Sequence, residues 1–247
     1  MFAPADRERV RDALIAVAHA DPRVTAAALT GSAAEGREDR WSDVDLALSV
    51  AEGALDAVVD EWTARMYDEH GAVHHVDVHA RALYRVFLLD STLQVDISFW
   101  PADRFGPTSP RFRLLFGSAN PPRPLASPAA EELAGLAWLY ALHVRSSIAR
   151  GRRWQAEWML SRVRENGLAL ACLRHGLPTV EARGADRLPP GVTAGLEPGL
   201  ARSLDEAELR RAFGATTEWL IGEIAQADRG LAARLEPYLR EMAELSS

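Results

Sequence analysis

The chain has 247 residues, 48% of them hydrophobic, so it can build one large hydrophobic core or two of ordinary size. Its formal net charge is -7, which argues against a general nucleic-acid binder and suits a cationic small molecule, with ordinary acidic solubility as the alternative. All 28 basic residues are arginine. Cys172 is the only cysteine, which excludes an internal disulfide and a cysteine-based zinc cluster and favours a reducing cytoplasm.

The sequence predicts no targeting or membrane segment. The N-terminus is charged from Asp6 onward and lacks the apolar stretch of a signal peptide. No run of about 18 apolar residues is free of charged side chains, so no helix is expected to cross a membrane. We therefore expect a cytoplasmic protein whose partners include neither a membrane nor a nucleic acid.

Helical and strand-like periods alternate along the N-terminal half. Apolar residues at helical spacing predict an amphipathic helix over residues 5–19. Short apolar or alternating runs predict strands over residues 24–30, 43–50, 73–78, 85–90 and 93–100. A second helix is predicted over residues 53–69, and residues 90–92 suit a hairpin between the last two strands. These elements indicate helices packed on one sheet.

A break with four prolines, residues 117–128, separates this half from a helical one. Helical periods then predict helices over residues 129–150, 153–175, 203–227 and 229–245, with an irregular stretch over residues 176–202. The sequence thus predicts an α+β protein, in which an N-terminal mixed-sheet domain over residues 1–118 is followed by an all-helical C-terminal domain over residues 128–247.

Three aspartates lie on predicted strands whose other face is apolar. Asp43 and Asp45 are two residues apart, so they share one face of their strand, and Asp96 stands opposite the buried face of a later strand. Adjacent carboxylates repel each other unless a cation or a proton lies between them, and Mg²⁺ prefers oxygen ligands. If the two strands are neighbours, three carboxylates converge and can hold two metal ions about 4 Å apart. For the first pair alone, an exposed acidic strand edge is the alternative.

Gly31 and Ser32 end the first predicted strand and begin a short predicted helix, from about Ala33 to Arg40. Glycine allows a tight turn and a close approach to a ligand, and free N–H groups with a serine hydroxyl form an anion site. A plain serine N-cap is the alternative.

These motifs together resemble the polymerase β nucleotidyltransferase superfamily. The pattern runs from Leu29 through Gly31-Ser32 and ten further residues to Asp43-Val44-Asp45-Leu46, with Asp96 on a later strand. The string GSAAEG…WSDVDL is most similar to the small antibiotic (aminoglycoside or lincosamide) nucleotidyltransferases, in which a helical domain follows the catalytic one. Thr30 departs from the apolar residue usual before the glycine. The motif resemblance covers about 70 residues.

The resemblance implies roles for the motif residues. Ser32 and Ser42 would hydrogen-bond the triphosphate of ATP beside Gly31. Asp43 and Asp45 would ligate Mg²⁺, and Asp96 would ligate the catalytic one of two Mg²⁺ ions and help to deprotonate the acceptor hydroxyl. Residues 1–118 would be the catalytic domain, and residues 128–247 would contact substrate and nucleotide.

The predicted helix over residues 153–175 places Arg153, Glu157 and Arg164 on one stripe. By the same resemblance, Arg153 or Arg164 would contact phosphate, and Glu157 would bind a cationic acceptor or assist as a base. A solvent-facing ion pair between residues four apart is the alternative.

Two groups in the N-terminal half have weaker functional readings. His75, Asp77 and His79 share one strand face, for which a hydrated sheet surface is preferred over a metal cluster. Trp100 could stack on a base or sugar, although packing is the preferred role.

The resemblance implies a magnesium-dependent enzyme that transfers a nucleoside monophosphate, AMP from ATP, to a hydroxyl of a small acceptor and releases pyrophosphate. An aminoglycoside-type antibiotic is the leading acceptor. The alternatives are an antitoxin-type enzyme that modifies a protein with AMP and a regulatory module that binds nucleotide without turnover. Homodimers are common among such enzymes, so a homodimer is a further expectation.

Overall fold

The computed structural model describes residues 2–124 and 126–244. The chain divides into two compact units, Met1–Leu125 and Ala126–Ser247, and their boundary falls inside the proline-rich segment. None of the helices in the described residues is long and apolar enough to cross a membrane.

The first unit is a six-stranded sheet with two long helices. Its elements are α1 (Pro4–Ala20), β1 (Val24–Thr30), α2 (Gly31–Ala34), β2 (Val44–Val50), α3 (Leu55–His70), β3 (Ala72–His79), β4 (Leu83–Leu89), β5 (Gln94–Pro101) and β6 (Phe112–Phe116). The strand order is β3-β4-β5-β2-β1-β6. Only the β2–β5 pair is parallel among these described strands, so the sheet is mixed, as predicted.

One face of this sheet carries the main core of the unit. Alternate residues of β2 and β5 point toward α1 and α3 and are fully buried there, together with Leu14 of α1 and Trp62 of α3. Burial of this much apolar surface supplies the main driving force for folding of the unit. The opposite face is covered only in part, by a smaller cluster around Trp100 and Phe105. The remainder of that face is open.

Two local predictions were wrong in this unit. The helix after Gly31-Ser32 was expected to reach Arg40, but α2 ends at Ala34, because the chain turns at Gly36, whose φ is +64°. Strand β6 was not predicted. Its five residues show no clear alternation, and they are extended because they pair with β1.

The second unit is helical. It contains α4 (Ala130–Ala149), α5 (Arg153–Arg174), α6 (Pro190–Leu196), α7 (Glu206–Ala227) and α8 (Arg229–Ala243), with single 3₁₀ turns at Val180–Ala182, Ala185–Arg187 and Glu197–Gly199. Helices α5 and α7 approach closely because Gly167 has no side chain: a Cβ there would lie 2.3 Å from Trp219. The unit buries its own apolar cluster, formed chiefly by α4, α5, α7 and α8.

Candidate active site

Three carboxylates meet at the open face of the sheet in the first unit. Asp43 directly precedes β2, Asp45 lies on β2, and Asp96 lies on the neighbouring strand β5. One carboxylate oxygen from each residue lies within 4.8 Å of the others. In residues 2–124 and 126–244 this is the one group of three or more histidine, cysteine or acidic side chains close enough to share a metal ion.

The strand pairing explains this convergence. Val44, Leu46 and Leu48 are buried in the core, so the side chains between them point to the open face. The parallel β2–β5 register pairs Asp45 with Asp96 directly. Paired residues of the two strands therefore face the same side of the sheet, and Asp45 and Asp96 lie at the same position along β2 and β5.

Gly31 packs against this cluster. It ends β1 with a φ of +60°, and a Cβ at this position would lie 1.9 Å from Oδ2 of Asp45. No side chain fits in that space unless the Asp45 carboxylate moves. A glycine is therefore required here both for the backbone conformation and for the close approach.

The loop between α2 and β2 is attached to α1 by two arginines. Glu38 forms ion pairs with Arg7, at 3.1 Å between Nε and Oε1, and with Arg11, at 2.7 Å between Nη1 and Oε2. Arg7 is only 3% exposed and also donates a hydrogen bond to the carbonyl of Asp39. This role was not predicted from the sequence, although Arg7 continues the buried helical stripe that includes Leu14.

The two candidate phosphate-binding serines lie on either side of this loop. Ser32 is half-buried in α2, next to Gly31. The Ser42 hydroxyl accepts a hydrogen bond from the Asp39 backbone N–H at 2.9 Å and lies 3.2 Å from its carboxylate. Ser42 therefore closes the loop immediately before Asp43. Its neighbour Trp41 is 68% exposed.

Gln94 links two of the carboxylates and was not singled out from the sequence. Its side-chain amide donates a hydrogen bond of 2.9 Å to Oδ1 of Asp96 and lies 3.4 Å from Oδ2 of Asp43. Its position two residues before Asp96, on the same strand face, is the sequence signal that could have indicated it.

The environment of Asp96 raises the pKa of its carboxyl to about 6. Burial is the main cause, because it disfavours the charged carboxylate, and the nearby charge of Asp43 acts in the same direction. The hydrogen bond from Gln94 lowers the pKa and offsets part of this effect. A cation among the three carboxylates would favour the charged form, so the cluster is suited to binding one.

Beyond Asp96 the open face becomes apolar. The β4–β5 register places Val86 beside Asp96, and the β3–β4 register places Val76 beside Val86. Val76 is 55% exposed and Leu88, beside Gln94, is 48% exposed. A shallow depression of about 140 Å³ lies over these residues. Across the sheet the acids therefore stand between the glycine turn of β1 and an exposed apolar strip on β4 and β3.

The candidate residues of the helical unit have partners within that unit. Arg164 is 9% exposed, and its Nη2 lies 2.6 Å from Oε1 of Glu157. Its Nη1 donates a hydrogen bond of 3.1 Å to the carbonyl of Gly199. The alternative of a solvent-facing pair four residues apart was wrong, because the observed pair spans seven residues and its arginine is buried. Arg153 is exposed at the start of α5.

The strand face with Asp77 and the side chain of Trp100 have structural explanations in the first unit. Asp77 forms a bidentate ion pair with Arg85, and both contacts measure 2.7 Å. The Nδ1 atom of His75 lies 2.9 Å from the Tyr67 hydroxyl. No histidine joins a group of possible metal ligands in the described part of the chain. Trp100 is buried and donates its indole N–H to Ser98 Oγ at 3.0 Å, which is the packing role preferred above.

Comparison with known proteins identifies the domain that carries these acids. The family model described as the nucleotidyltransferase domain matches residues 10–106. Residues 10–106 form a nucleotidyltransferase domain. The matched residues include the glycine turn and all three aspartates of the candidate site, so the family resemblance inferred from the motifs, that of polymerase β-type nucleotidyltransferases, is confirmed.

Two further comparisons concern the whole chain. No curated protein sequence matches the chain significantly. Among solved structures, the chain is similar to the crystal structure of an aminoglycoside 6-adenyltransferase from Bacillus subtilis, at 11% sequence identity and a TM-score of 0.43. That similarity covers 96% of this chain and 98% of the other.

Proposed function

We propose that this nucleotidyltransferase uses Mg²⁺ to transfer a nucleoside monophosphate, AMP from ATP, to a hydroxyl of a small acceptor and releases pyrophosphate. An aminoglycoside-type antibiotic is the first acceptor to test. The observation that carries the proposal is the convergence of Asp43, Asp45 and Asp96 beside the Gly31 turn, with oxygens within 4.8 Å of one another. Two-metal phosphoryl and nucleotidyl transfer requires such an arrangement.

The donor set fits a hard divalent cation. Three carboxylates supply only oxygen ligands, which Mg²⁺ prefers. A cation among them would also favour the charged form of Asp96, whose pKa is raised mainly by burial. Asp43 and Asp45 would hold Mg²⁺ on β2, and Asp96 would complete the site from β5. Bound Mg²⁺ supplies stabilisation of negative charge on the phosphate oxygens.

The residues of the chain have separate tasks in this reaction. The Gly31-Ser32 turn and the Ser42 hydroxyl would bind the triphosphate, because free N–H and O–H donors suit phosphate oxygens. Asp96 would orient the acceptor hydroxyl and take its proton as the oxygen bonds to the α-phosphorus. The bond from that phosphorus to the bridging oxygen then breaks, and pyrophosphate leaves. With a pKa of about 6, the Asp96 carboxyl is mostly ionised at neutral pH and can act as a base.

The strand order suggests opposite sides for the two substrates. Gly31 lies on the β1 side of the acids, so the triphosphate would occupy that side. The acceptor would then approach Asp96 from the β4 side, where Val86 and Val76 offer apolar contacts. Among the described residues, the face of β3 and β4 around Val86 carries no carboxylate. The amino groups of a cationic acceptor would therefore have to pair with carboxylates elsewhere. Glu157 stays the candidate for that task.

Phosphate contacts from the helical unit are also proposed. Arg153 is the better of the two arginine candidates, because it is exposed, whereas both ends of the Arg164 guanidinium already have partners. A homodimer stays a prediction, which light scattering in solution would test.

The test is pyrophosphate release from ATP and Mg²⁺, with and without a panel of aminoglycosides, combined with mass spectrometry of each acceptor for an added AMP. Asp43→Asn, Asp45→Asn and Asp96→Asn should each reduce turnover by at least about a hundredfold. Asp68→Asn, at an exposed position of α3, is the matched control and should retain activity. Unchanged turnover by Asp43→Asn would exclude the proposed mechanism. Transfer of labelled AMP to protein instead of a small molecule would favour the antitoxin-type alternative.

A further inference from the structure

A second pocket in the first unit is lined by arginines that the proposed reaction does not use. Arg81, Arg104 and Arg123 surround a cavity of about 260 Å³, with Trp100 and Thr108 in its wall. Trp100 is four residues beyond Asp96 on β5, so its Cα lies about 13 Å farther along the strand. The pocket is therefore separate from the three carboxylates.

The pocket has an excess of positive charge. Among the described residues, one carboxylate pairs with the arginines of the pocket. It is that of Asp103, whose Oδ2 lies 3.9 Å from Nε of Arg104. Arg81 and Arg123 form no ion pair with any residue of the described ranges. Three guanidinium groups and one carboxylate leave two net positive charges around the cavity. An anion with two charges would neutralise them.

The backbone around the pocket is held in place before any ligand binds. The Asn120 side chain donates hydrogen bonds to the carbonyls of Ala102, at 2.9 Å, and Phe105, at 2.8 Å. Gly106 packs so closely on this segment that a Cβ there would lie 2.7 Å from the Asn120 carbonyl oxygen. The chain segments that carry Arg104 and Arg123 are therefore fixed to one another.

Two more contacts hold the Arg81 side chain and the backbone of Arg123. The Arg81 Nη1 donates a hydrogen bond of 2.7 Å to the carbonyl of Arg123, and the backbone N–H of Arg123 donates one of 2.9 Å to the carbonyl of Pro107. Arg81 belongs to the connection between β3 and β4, so this bond joins a third segment to the pocket. Because the Arg81 guanidinium and the surrounding backbone are already positioned, they lose less entropy when a ligand binds.

We propose that this pocket binds a phosphate-type dianion: inorganic phosphate, pyrophosphate or a phosphate monoester. The forked N–H groups of guanidinium match phosphate oxygens, and a dianion matches the excess charge of the pocket. The Thr108 hydroxyl can donate a further hydrogen bond. The Trp100 indole N–H already donates to Ser98, so the ring serves as the apolar wall of the pocket.

Isothermal titration calorimetry of the full chain tests this site, in buffer freed of divalent metal so that the carboxylate cluster does not hold phosphate through a cation. The ligands are inorganic phosphate, pyrophosphate, glycerol phosphate and succinate. Arg104→Gln and Arg123→Gln should each weaken binding about fivefold or more, because both arginines are exposed and their charge-assisted bonds are partly screened. The control Arg65→Gln removes a partly exposed arginine of α3 that pairs with Glu69, and it should leave the affinity unchanged.

The outcomes separate this site from others. Binding of the three phosphates that is weakened by both pocket variants, and that falls as salt is raised, supports the proposal. The phosphate ligand that binds most tightly then shows whether the pocket takes inorganic phosphate, pyrophosphate or a phosphate monoester. Phosphate binding that neither variant changes would place the anion elsewhere, for example at the Gly31-Ser32 turn, and would overturn the proposal. The absence of binding, or binding of succinate as tight as that of phosphate, would also overturn it. Thermal unfolding of each variant verifies that the exposed substitutions leave the fold intact.

Discussion

Comparison of Gly31→Ala with Gly36→Ala separates the effect of backbone strain from that of damage to the carboxylate cluster. Gly31 has a φ of +60°, and an L-residue in this region costs about 1–2 kcal/mol. The added Cβ would also lie 1.9 Å from Oδ2 of Asp45, so the carboxylate must move by well over an ångström to reach an ordinary contact distance. A misplacement of about 1 Å at a reacting centre can reduce the rate a hundredfold. We therefore expect kcat to fall by about a hundredfold or more.

Gly36→Ala is the matched control. Gly36 has nearly the same backbone conformation, with a φ of +64°, but a Cβ there would meet nothing within 4 Å. Both variants should lose about 1–2 kcal/mol of unfolding free energy through the backbone, measured by urea denaturation. Only Gly31→Ala should also lose turnover, measured as pyrophosphate release. If the two variants lost the same small amount of activity, the contact between Gly31 and Asp45 would have no catalytic importance.

Four further predictions concern charge and burial. Burial raises the pKa of Asp96 to about 6, so protons should compete with Mg²⁺ for this carboxylate below that pH. The affinity for Mg²⁺ should therefore rise with pH up to about 6 and then stay constant. A constant affinity from pH 5 to 8 would contradict this prediction. The metal-free protein should lose stability as pH rises through about 6, since the folded state holds this proton more tightly than the unfolded state. Gln94→Ala removes the hydrogen bond that lowers the Asp96 pKa, so the acidic limb of the rate profile should move to higher pH; an unmoved limb would argue against the contact. Arg164→Ala should cost about 2–3 kcal/mol of unfolding free energy, because Glu157 loses its partner and the Gly199 carbonyl keeps only the bond from the Thr216 hydroxyl. Exposed Arg153→Ala should cost little, and equal losses would refute the structural role of Arg164.

Two features that were not predicted from the sequence depend on long-range contacts. Strand β6 is extended through its pairing with β1, which lies more than eighty residues earlier in the chain. The loop after α2 is held by ion pairs from Glu38 to Arg7 and Arg11 on the first helix. Neither contact leaves a local periodic signal, so propensity and periodicity could not reveal it.

The arginine pocket illustrates the same limit at a functional level. Arg81, Arg104 and Arg123 are widely separated in sequence, and each one alone reads as an ordinary surface residue. Only the folded loops around Asn120 bring them to one cavity. In contrast, the phosphate-turn candidate Gly31-Ser32 and the Asp43–Asp45 pair could be recognised from their spacing within one short segment.

The amino-acid sequence was enough to predict which way each acidic side chain faces relative to the core, because alternation along a strand is a property of neighbouring residues. It therefore placed Asp43, Asp45 and Asp96 on faces opposite apolar ones. The tertiary structure alone decided that β2 and β5 are parallel neighbours in register, and that Gly31 closes against Asp45. The physical reason is that strand order and close backbone approach depend on contacts between distant segments, whose free energy is set by packing of the whole sheet.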